Sequence, residues 1–327
     1  MYRYFFIYAL VFLLSFCLTA VTESRLIPFL SRRARQPIYE DGPRWHAKKN
    51  GTPTMGGLAF ISAITLSCAI ALPFLFKGGL REEGISLLLL LAFAAFNSAI
   101  GIIDDATKLH RHKNAGLTPK QKLLFQTLIS IGFLLGRKFL LGDTTAISFS
   151  FGEIDIGFFY YPLAIILLLG IVNCANLTDG IDGLAACVSF AVGISFFYIS
   201  AYLAEGVAVI SASLIGAMIG FLIFNLHPAR IFMGDTGSLF LGAVCVGMAF
   251  SLKNPILVIT VCGVYVIEGI SVILQVLFYK STKRRLFKMA PIHHHLEKCG
   301  LSENTICIIA ILLTLLLSVP AYVLYLP

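Results

Sequence analysis

The sequence predicts an all-α polytopic membrane protein. Of its 327 residues, 58% are hydrophobic and only 13% are charged, and the mean hydropathy is +0.88. Soluble domains carry roughly 25% charged residues, and a chain folded in water could not hide this much apolar surface. The apolar residues also fall in runs of about 20, the length that crosses a bilayer. We therefore expect a single integral membrane domain over residues 1–327.

Ten apolar runs are long enough to be transmembrane helices. The first run is too long for a cleaved signal peptide and is preceded by a single basic residue, Arg3, so we expect it to be a span. The eighth run is short and rich in glycine. The predicted spans cover residues 4–23, 54–76, 84–103, 120–141, 158–175, 183–203, 207–224, 237–252, 255–279 and 305–325.

Residues 142–157 interrupt the apolar pattern between the fourth and fifth spans. From Thr145 to Ile156 the segment alternates apolar and polar residues around a central glycine. This alternation is typical of a β-hairpin, and we expect a small one on this loop.

The distribution of basic residues predicts the orientation in the membrane. Nineteen of the 25 Lys and Arg residues lie in loops 24–53, 104–122, 176–182, 225–236 and 280–304. The positive-inside rule places these loops in the cytoplasm, and both termini and the hairpin outside, in the periplasm. The net charge of +8 is then mostly a topology signal, and without a soluble basic face we expect no nucleic-acid partner. The eight cysteines show no zinc-site spacing and no disulfide framework.

Aspartates gather at helix ends on the predicted cytoplasmic face, where acids are costly and tend to be functional. Asp104 and Asp105 close the third span, and Lys108 shares their face if the helix continues. Adjacent carboxylates repel each other unless a cation or proton lies between them, and Mg²⁺ is a natural partner that is often shared with phosphates. The alternative is an interfacial helix cap with a salt bridge.

A second polar segment, residues 173–183, follows the fifth span. We expect Asp179 and Asp182 to project from one side of a helix start, with Asn176 and Thr178 adding hydrogen-bonding groups. The alternative is an ordinary polar turn between two spans.

Two further segments add an anion-binding helix start and a lysine. Gly234 to Ser238 reads Gly-Asp-Thr-Gly-Ser and opens the eighth span, where main-chain N–H groups favour anions, although Asp235 could be a simple cap. Lys49 is a candidate to reach a phosphate, or else an ordinary topology lysine. Together, these carboxylates, lysines and glycine turns suit phosphoryl transfer, which needs Mg²⁺, positive clamps and a positioned nucleophile.

The last polar loop carries His293, His294 and His295 in succession. On a helix these side chains would point about 100° apart, so they cannot all bind one ion. We expect one or two of them to face a phosphate. A zinc site would need further ligands, and Cys299 is the only thiol nearby.

Five motifs then occur in order along the chain, and together they resemble a known family. They read His46-x-x-Lys49-x-Gly-Thr-Pro-Thr-Met-Gly-Gly, Asp104-Asp105-x-x-Lys108, Asn176-Leu-Thr-Asp-Gly-x-Asp-Gly, Gly234-Asp-Thr-Gly-Ser and Pro291-x-His-His-His-x-Glu297. The chain resembles the phospho-N-acetylmuramoyl-pentapeptide-transferases, a branch of the polyprenyl-phosphate N-acetylhexosamine-1-phosphate transferases. The resemblance runs from about residue 37 to residue 300, and that family also has ten helices.

The resemblance implies an activity and a location. Phospho-MurNAc-pentapeptide would pass from UDP-MurNAc-pentapeptide to undecaprenyl phosphate, giving lipid I and UMP, with Mg²⁺ as cofactor. The protein would lie in the lipid bilayer of the bacterial cytoplasmic (inner) membrane, with its active site facing the cytoplasm. The resemblance also implies a homodimer.

The resemblance also implies roles for individual residues. Asp235 matches the metal ligand, the pair Asp104 and Asp105 matches the group that acts on the lipid phosphate, and Ile181 stands where Leu is expected. The catalytic candidates are Asp104, Asp105, Lys108, Asp235 and His293. The substrate-binding candidates are Lys49, Asn176, Asp179, Gly180, Ile181, Asp182, Asn225, Phe232, Ser238, His294 and His295, of which Gly180, Ile181, Asp182 and Phe232 match the uracil pocket.

Two other functions and two mechanisms stay open at this point. A related enzyme that transfers GlcNAc-1-phosphate shares the aspartate motifs, but the three histidines with Glu297 favour the muramoyl-pentapeptide branch. A transporter would place acids within the membrane, and Glu268 is the one clear mid-span acid, for which a hydrogen bond inside the bundle is the simpler interpretation. For the reaction itself, Asp104 could accept a residual proton from the lipid phosphate, or an aspartate could form a covalent intermediate.

Overall fold

The computed structural model describes residues 2–33, 49, 51–111, 116–149, 151–201 and 204–325, and most of them are helical. In chain order the elements are α1 (Tyr2–Arg33), α2 (Gly57–Lys77), α3 (Arg81–Arg111), α4 (Pro119–Leu141), β1 (Ala146–Phe149), β2 (Gly152–Asp155), α5 (Tyr160–Thr178), α6 (Leu184–Ser200), α7 (Glu205–Asn225), α8 (Gly234–Ser251), α9 (Leu257–Val261), α10 (Gly263–Thr282), α11 (Ile292–Lys298) and α12 (Glu303–Tyr325).

The helices confirm the predicted class of an all-α polytopic membrane protein. In the described part of the chain, nine helices are long and apolar enough to cross a membrane, and α6, with 17 residues, is a shorter apolar helix. The prediction of ten spans holds when α6 is counted with them. The ninth predicted span, 255–279, is not one continuous helix. Cys262 leaves the helical conformation and divides it into α9 and α10, where Gly263 packs against Leu317 of α12.

The helix α8 lies at the centre of the bundle. In its most apolar stretch 83% of the residues are buried, against 28% in α1 and α4. Its first turn is enclosed by glycines of two neighbours: a methyl group at Gly57 of α2 would overlap the main chain of Gly237, and one at Gly101 of α3 would overlap the carbonyl of Asp235. Because no side chain separates these backbones, the start of α8 has a fixed position against α2 and α3.

The start of α4 is defined by a capping box. The Thr118 hydroxyl accepts a hydrogen bond from the N–H of Gln121, and the Gln121 side chain accepts one from the N–H of Thr118. Pro119 occupies the first helical position, where its missing N–H costs nothing. The cap therefore places Lys122 in the first turn of α4.

The predicted hairpin is present and fastened to the bundle. Strands β1 and β2 are antiparallel, with Ala146 opposite Asp155 and Phe149 opposite Gly152. The N–H of Ser148 donates to the carbonyl of Lys253 at 3.2 Å, and the Asn254 amide donates to the carbonyl of Ser148 at 2.7 Å. These bonds join the α4–α5 connection to the segment that follows α8.

The loops gather at two ends of the bundle, as the sequence predicted. The hairpin end holds β1 and β2, the end of α8 and the starts of α3 and α7, where the N–H of Gly206 donates to Glu83. Both chain ends described lie there, since Tyr4 contacts Gly78 and Tyr322 packs on Tyr198. The site end holds the aspartates at the opposite ends of these helices.

Candidate active site

Asp105 holds the first turn of α8. Its carboxylate accepts hydrogen bonds from the N–H of Asp235 at 3.2 Å, the N–H of Thr236 at 2.9 Å and the hydroxyl of Thr236 at 2.7 Å. A helix N-terminus has free N–H groups and a partial positive charge, which a carboxylate satisfies. The side chain predicted to serve the lipid phosphate therefore joins α3 to α8 and fixes the position of Asp235.

Asp104 and Asp235 share two lysines. The Lys108 ammonium lies 2.7 Å from Oδ2 of Asp104 and 3.2 Å from Oδ2 of Asp235. The Lys122 ammonium lies 2.9 Å and 2.6 Å from the same two oxygens. The N–H of Leu117 donates to Oδ1 of Asp104 at 2.6 Å. The helix α3 continues past Asp104, which was the condition for Lys108 to share its face, and Lys108 reaches Asp104 at the i, i+4 spacing. The result is a neutral cluster of two carboxylates and two ammonium groups at the membrane edge.

Asn176 orients the other oxygen of Asp235. Its amide nitrogen donates to Oδ1 of Asp235 at 3.0 Å and to the Ser238 hydroxyl at 2.8 Å, and that hydroxyl in turn donates to the carbonyl of Gly234 at 3.1 Å. The last turn of α5 is thereby tied to the first turn of α8. Both oxygens of Asp235 have defined directions, which is a condition for selective binding of a cation or phosphate.

The aspartates fit a hard divalent cation. Asp104, Asp105 and Asp235 each bring one carboxylate oxygen within 4.8 Å of the others. Oxygen-only ligands of this kind suit Mg²⁺ and not zinc, which prefers nitrogen and sulfur. The oxygens of Asp105 are engaged by α8. Oδ2 of Asp104 and Oδ2 of Asp235 both face the ammonium groups of Lys108 and Lys122. These two oxygens are therefore the better candidates to bind a metal ion.

Lys49 lies in a second ionic cluster. Its ammonium is 2.7 Å from Oδ1 of Asp182 and 2.7 Å from Oε2 of Glu303, which also accepts the N–H of Asp182 at 2.7 Å. His227 and the N–H of Ala229 bind Oδ2 of Asp182 at 2.9 and 3.0 Å. Asp182, His227 and Glu303 could hold a cation by distance, but in this structure Lys49 supplies the positive charge.

Asp179 and Asp182 occupy a turn and not a helix start, so that prediction was wrong. The helix α5 ends at Thr178 and α6 begins at Leu184, with Gly183 in the left-handed conformation between them. Glycine adopts that conformation without strain, which ends the turn within five residues. In contrast to Asp182, the Asp179 side chain makes no hydrogen bond or ion pair with the residues that the structure describes.

The remaining turn residues are arranged by main-chain contacts. Ile181 is buried. The Asn225 amide accepts from the N–H of Gly183 at 3.1 Å and donates to the carbonyl of Ile231 at 2.8 Å, so both of its ends shape the site. Phe232 donates its N–H to Pro53 and accepts the N–H of Gly56, both at 2.9 Å. These hydrogen bonds join the segment before α2 to the segment that leads into α8.

The three histidines lie on one helix, α11, and bond to three different partners, although the rings of His293 and His294 pack edge to face with centroids 4.2 Å apart. His293 turns inward, with Nδ1 3.0 Å from Oε2 of Glu268. His294 pairs with Glu297 at 2.6 Å, and Nδ1 of His295 accepts the N–H of Lys288 at 3.1 Å. Glu268 thus makes a hydrogen bond, as expected, but its partner lies on the short helix α11 and not on one of the long helices of the bundle.

The structure adds residues that sequence reasoning missed. Lys122 and Glu303 lie outside every quoted motif, and Thr236 and His227 lie inside quoted segments but received no role. A lysine in the first turn of an apolar helix and an acid that opens α12 were the available signals. His46, which the first motif includes, lies outside the described residues.

Fold and site together define an integral membrane protein with a centre of acids and lysines suited to phosphate groups. Comparison with known proteins agrees with this class. Residues 87–253 match the model of Glycosyl transferase family 4, and residues 49–61 match the model of Phospho-N-acetylmuramoyl-pentapeptide-transferase signature 1.

Relatives that carry the name phospho-N-acetylmuramoyl-pentapeptide-transferase cover most of the chain. The protein of Halalkalibacterium halodurans is 44% identical over 298 residues, which are 90% of this chain and 90% of that protein. The protein of Clostridium botulinum (strain Alaska E43) is 40% identical over 314 residues, 95% of this chain and 94% of that protein. This chain therefore belongs to the phospho-N-acetylmuramoyl-pentapeptide-transferase family.

Replacing Lys122 with Met should destabilise the protein because Asp104 and Asp235 would keep a single ammonium between them. The expected loss is about 1.5–3 kcal/mol in the free energy of unfolding, the range for a hydrogen bond to a charged group. Lys120→Met is the matched control: Lys120 is exposed on the same helix, and its replacement should change stability by no more than about 0.5 kcal/mol. Denaturant unfolding in detergent measures both, and equal effects would contradict the shared-lysine arrangement.

Replacing Asp179 with Asn should stabilise the protein at neutral pH. Desolvation, together with the charges of Asp235, Asp105 and Asp182, raises the pKa of Asp179 well above its ordinary 3.8, and Lys49 opposes this only in part. A carboxyl with a raised pKa costs stability once the pH exceeds its ordinary value. The advantage of Asp179→Asn should therefore grow as the pH rises from 3.8 through the raised pKa and then level off.

The hairpin supplies a control of opposite sign for this measurement. Hydrogen bonds from Thr145 and from the N–H of Gly157 lower the pKa of Asp155 below its ordinary 3.8. Asp155→Asn should therefore be less stable than the parent protein at neutral pH, and the difference should vanish as the pH falls through the lowered pKa. Thermal unfolding from about pH 2 to pH 8, a range that extends below the ordinary carboxyl pKa, measures both variants. A constant offset for Asp179→Asn would refute the raised pKa.

Proposed function

We propose that this chain transfers phospho-MurNAc-pentapeptide from UDP-MurNAc-pentapeptide to undecaprenyl phosphate, giving lipid I and UMP in peptidoglycan synthesis. The observation that carries the proposal is the pair of lysines between Asp104 and Asp235, where α3, α4 and α8 meet. The reaction requires a water-soluble nucleotide to meet a membrane-bound phosphate. A centre of paired carboxylates and ammonium groups at the ends of apolar helices suits that meeting, and the names of the relatives support the choice of substrates.

The protein is proposed to lie in the bacterial cytoplasmic (inner) membrane with the site end in the cytoplasm. In the sequence, 19 of the 25 basic residues fall in the segments that connect the helix ends found at the site end, and cytoplasmic segments are the ones enriched in Lys and Arg. The hairpin end and both termini then lie outside. The homodimer that the resemblance implies remains a prediction.

Mg²⁺ is the proposed cofactor, with Asp235 as its ligand and Asp104 as the neighbouring carboxylate. The support is the all-oxygen donor set and the fixed direction of both Asp235 oxygens. When bound, the ion would offset the negative charge of the phosphates and of the leaving group.

The nucleotide is proposed to bind between the α5–α6 turn and the start of α8. Gly180, Ile181, Asp182 and Phe232 would form the uracil pocket, with Lys49 near the phosphates. The support is that Asp182 pairs with Lys49 and that Phe232 bonds to the segment just after Lys49, so one connected set of contacts joins these residues. Asp179, His294 and His295 would add contacts to the donor.

The lipid phosphate is proposed to bind beside Asp104, Lys108 and Lys122. One of its oxygens attacks the β-phosphorus of the donor, the new oxygen–phosphorus bond forms, and the bond from that phosphorus to the bridging oxygen breaks. The electron pair stays on the bridging oxygen and leaves with UMP. Lys108 and Lys122 hold phosphate oxygens, while Asn176 and Ser238 keep Asp235 in place. Asp105 acts through α8, which it fixes.

Direct displacement is favoured over a covalent aspartyl intermediate. Every carboxylate of the cluster is engaged: Asp104 by two lysines and the N–H of Leu117, Asp105 by α8, and Asp235 by the lysines and Asn176. A carboxylate held by ammonium groups is a weak nucleophile and a weak base. A base is also not essential, since a phosphate monoester with a second pKa near 6 is largely ionised at pH 7.

UMP release tests the function. The purified protein with UDP-MurNAc-pentapeptide, undecaprenyl phosphate and Mg²⁺ should release UMP and form a lipid-linked product, and a chelator should stop both. Asp235→Asn should lower the rate at least about 100-fold, because it removes a charge that holds the cation and both lysines. Glu153→Gln, an exposed hairpin residue, is the control. Release of UMP from UDP-GlcNAc, but not from UDP-MurNAc-pentapeptide, would assign the related GlcNAc-1-phosphate transfer instead.

Incubation without the lipid acceptor tests the mechanism. Direct displacement predicts no UMP release and no labelled protein when the donor carries a label on the sugar phosphate, because the attacking oxygen is missing. Mass spectrometry of the intact protein and its peptides measures the label. A labelled aspartate formed together with one equivalent of UMP would establish the covalent route.

A further inference from the structure

Glu268 is a buried acid in the second turn of α10. It is 3% exposed, and its carboxylate meets one described side chain, His293, at 3.0 Å. A carboxylate among apolar helices is costly unless it is paired, so this contact is the condition for its presence there. His293 is itself fully buried on α11, outside the long helices of the bundle. The hydrogen bond between Glu268 and His293 therefore joins the short helix α11 to the buried face of α10.

The other ring nitrogen of His293 faces the α5–α6 turn. Nε2 is buried and has no hydrogen-bond partner among the described residues. It lies against the Cα atom of Gly180, so closely that a methyl group on Gly180 would overlap the ring. With Nδ1 bonded to Glu268, the ring cannot rotate away without leaving a buried carboxylate unpaired, which is costly.

A second residue on the same face of α10 holds the segment before α11. Gln275 lies seven residues after Glu268, about two helical turns, so both side chains point to one side. The side-chain amide oxygen of Gln275 accepts hydrogen bonds from the N–H of Leu286 at 3.1 Å and from the N–H of Phe287 at 2.9 Å. The loop that carries the histidines is thus attached to α10 at two points, and only the Glu268 attachment reaches the α5–α6 turn.

We propose that Glu268 is a positioning residue for nucleotide binding: it holds the His293 ring beneath Gly180 and so sets the shape of the turn from Asp179 to Asp182. The assignment of that turn to the nucleotide rests on the proposed function. The placement of the ring by Glu268 does not rest on it, because that placement depends only on the hydrogen bond with Glu268 and on the packing of the ring against Gly180.

The placement is tested by a double-mutant cycle in thermal unfolding. Gly180→Ala should lower the melting temperature of the parent protein by several degrees, because the held ring cannot move. In the Glu268→Leu background the freed ring can yield, so the same substitution should cost less than half as much. Equal shifts in both backgrounds would overturn the proposal, because the ring would then not depend on Glu268.

The effect on binding is tested with three variants. Glu268→Leu should raise the KM for the nucleotide donor about tenfold and leave the KM for undecaprenyl phosphate within about twofold, since only the nucleotide turn loses its support. Glu268→Gln keeps an acceptor for Nδ1 and should restore the donor KM to within about threefold. Glu23→Leu is the matched control: Glu23 is fully buried in α1, neither of its oxygens has a hydrogen-bond partner among the described residues, and its removal should change neither KM.

The outcomes separate this proposal from the proposed function. A fall in kcat with both KM values unchanged, or an equal rise in both, would make Glu268 a structural residue and overturn the proposal. A parent protein that releases no UMP would refute the proposed function, and the unfolding cycle would still decide whether Glu268 places the ring.

Discussion

The carboxylate of Asp105 is the contact on which the site depends. It accepts three hydrogen bonds from the first residues of α8, the most buried of the helices, and so fixes the start of that helix against α3. Asp104 directly precedes Asp105 on α3, and Asp235 lies in the first turn of α8, which Asp105 caps. This single cap therefore sets the distance between the carboxylates of Asp104 and Asp235, which share the lysines. The glycines at positions 57 and 101 make the same junction close enough for backbones to touch. The close backbone packing and the placement of the site carboxylates therefore both depend on the start of α8.

The neutral balance of the cluster explains how so many acids lie at the end of an apolar bundle. An unpaired carboxylate at this depth would be expensive, and two adjacent ones more so. Lys108 and Lys122 supply one positive charge for each of Asp104 and Asp235, while Asp105 is satisfied by the helix N-terminus. The second cluster follows the same principle, with Lys49 between Asp182 and Glu303. Of the five aspartates near the site, Asp179 alone has no such partner among the described residues, and desolvation together with the neighbouring carboxylates raises its pKa.

Much of the fold was readable from the sequence, because long apolar runs, an alternating segment and glycine-rich turns each have a local cause. The meeting of Asp104, Asp235 and Lys49 at one end followed from counting spans. The pairing of those groups did not follow, since it depends on which helices are neighbours. Lys122 comes from a helix whose sequence gives no hint that it adjoins α8, and Glu303 closes an ion pair with Lys49 across 254 positions. The sequence analysis also missed the break at Cys262 and the turn conformation of Asp179, because apolar composition does not show at which residue a helix ends.

The hairpin has a consequence for the site at the other end of the bundle. Lys122, Asn176 and Asp235 are carried by α4, α5 and α8, and the opposite ends of these three helices meet where Ser148 bonds to Lys253 and Asn254. The helix α8 is 18 residues long, so this fastening lies about 27 Å from Asp235. Sliding α8 by one turn would move Asp235 about 5.4 Å along the bundle axis and away from Lys122. By opposing that slide, two strands of four residues each help to keep three distant side chains in register.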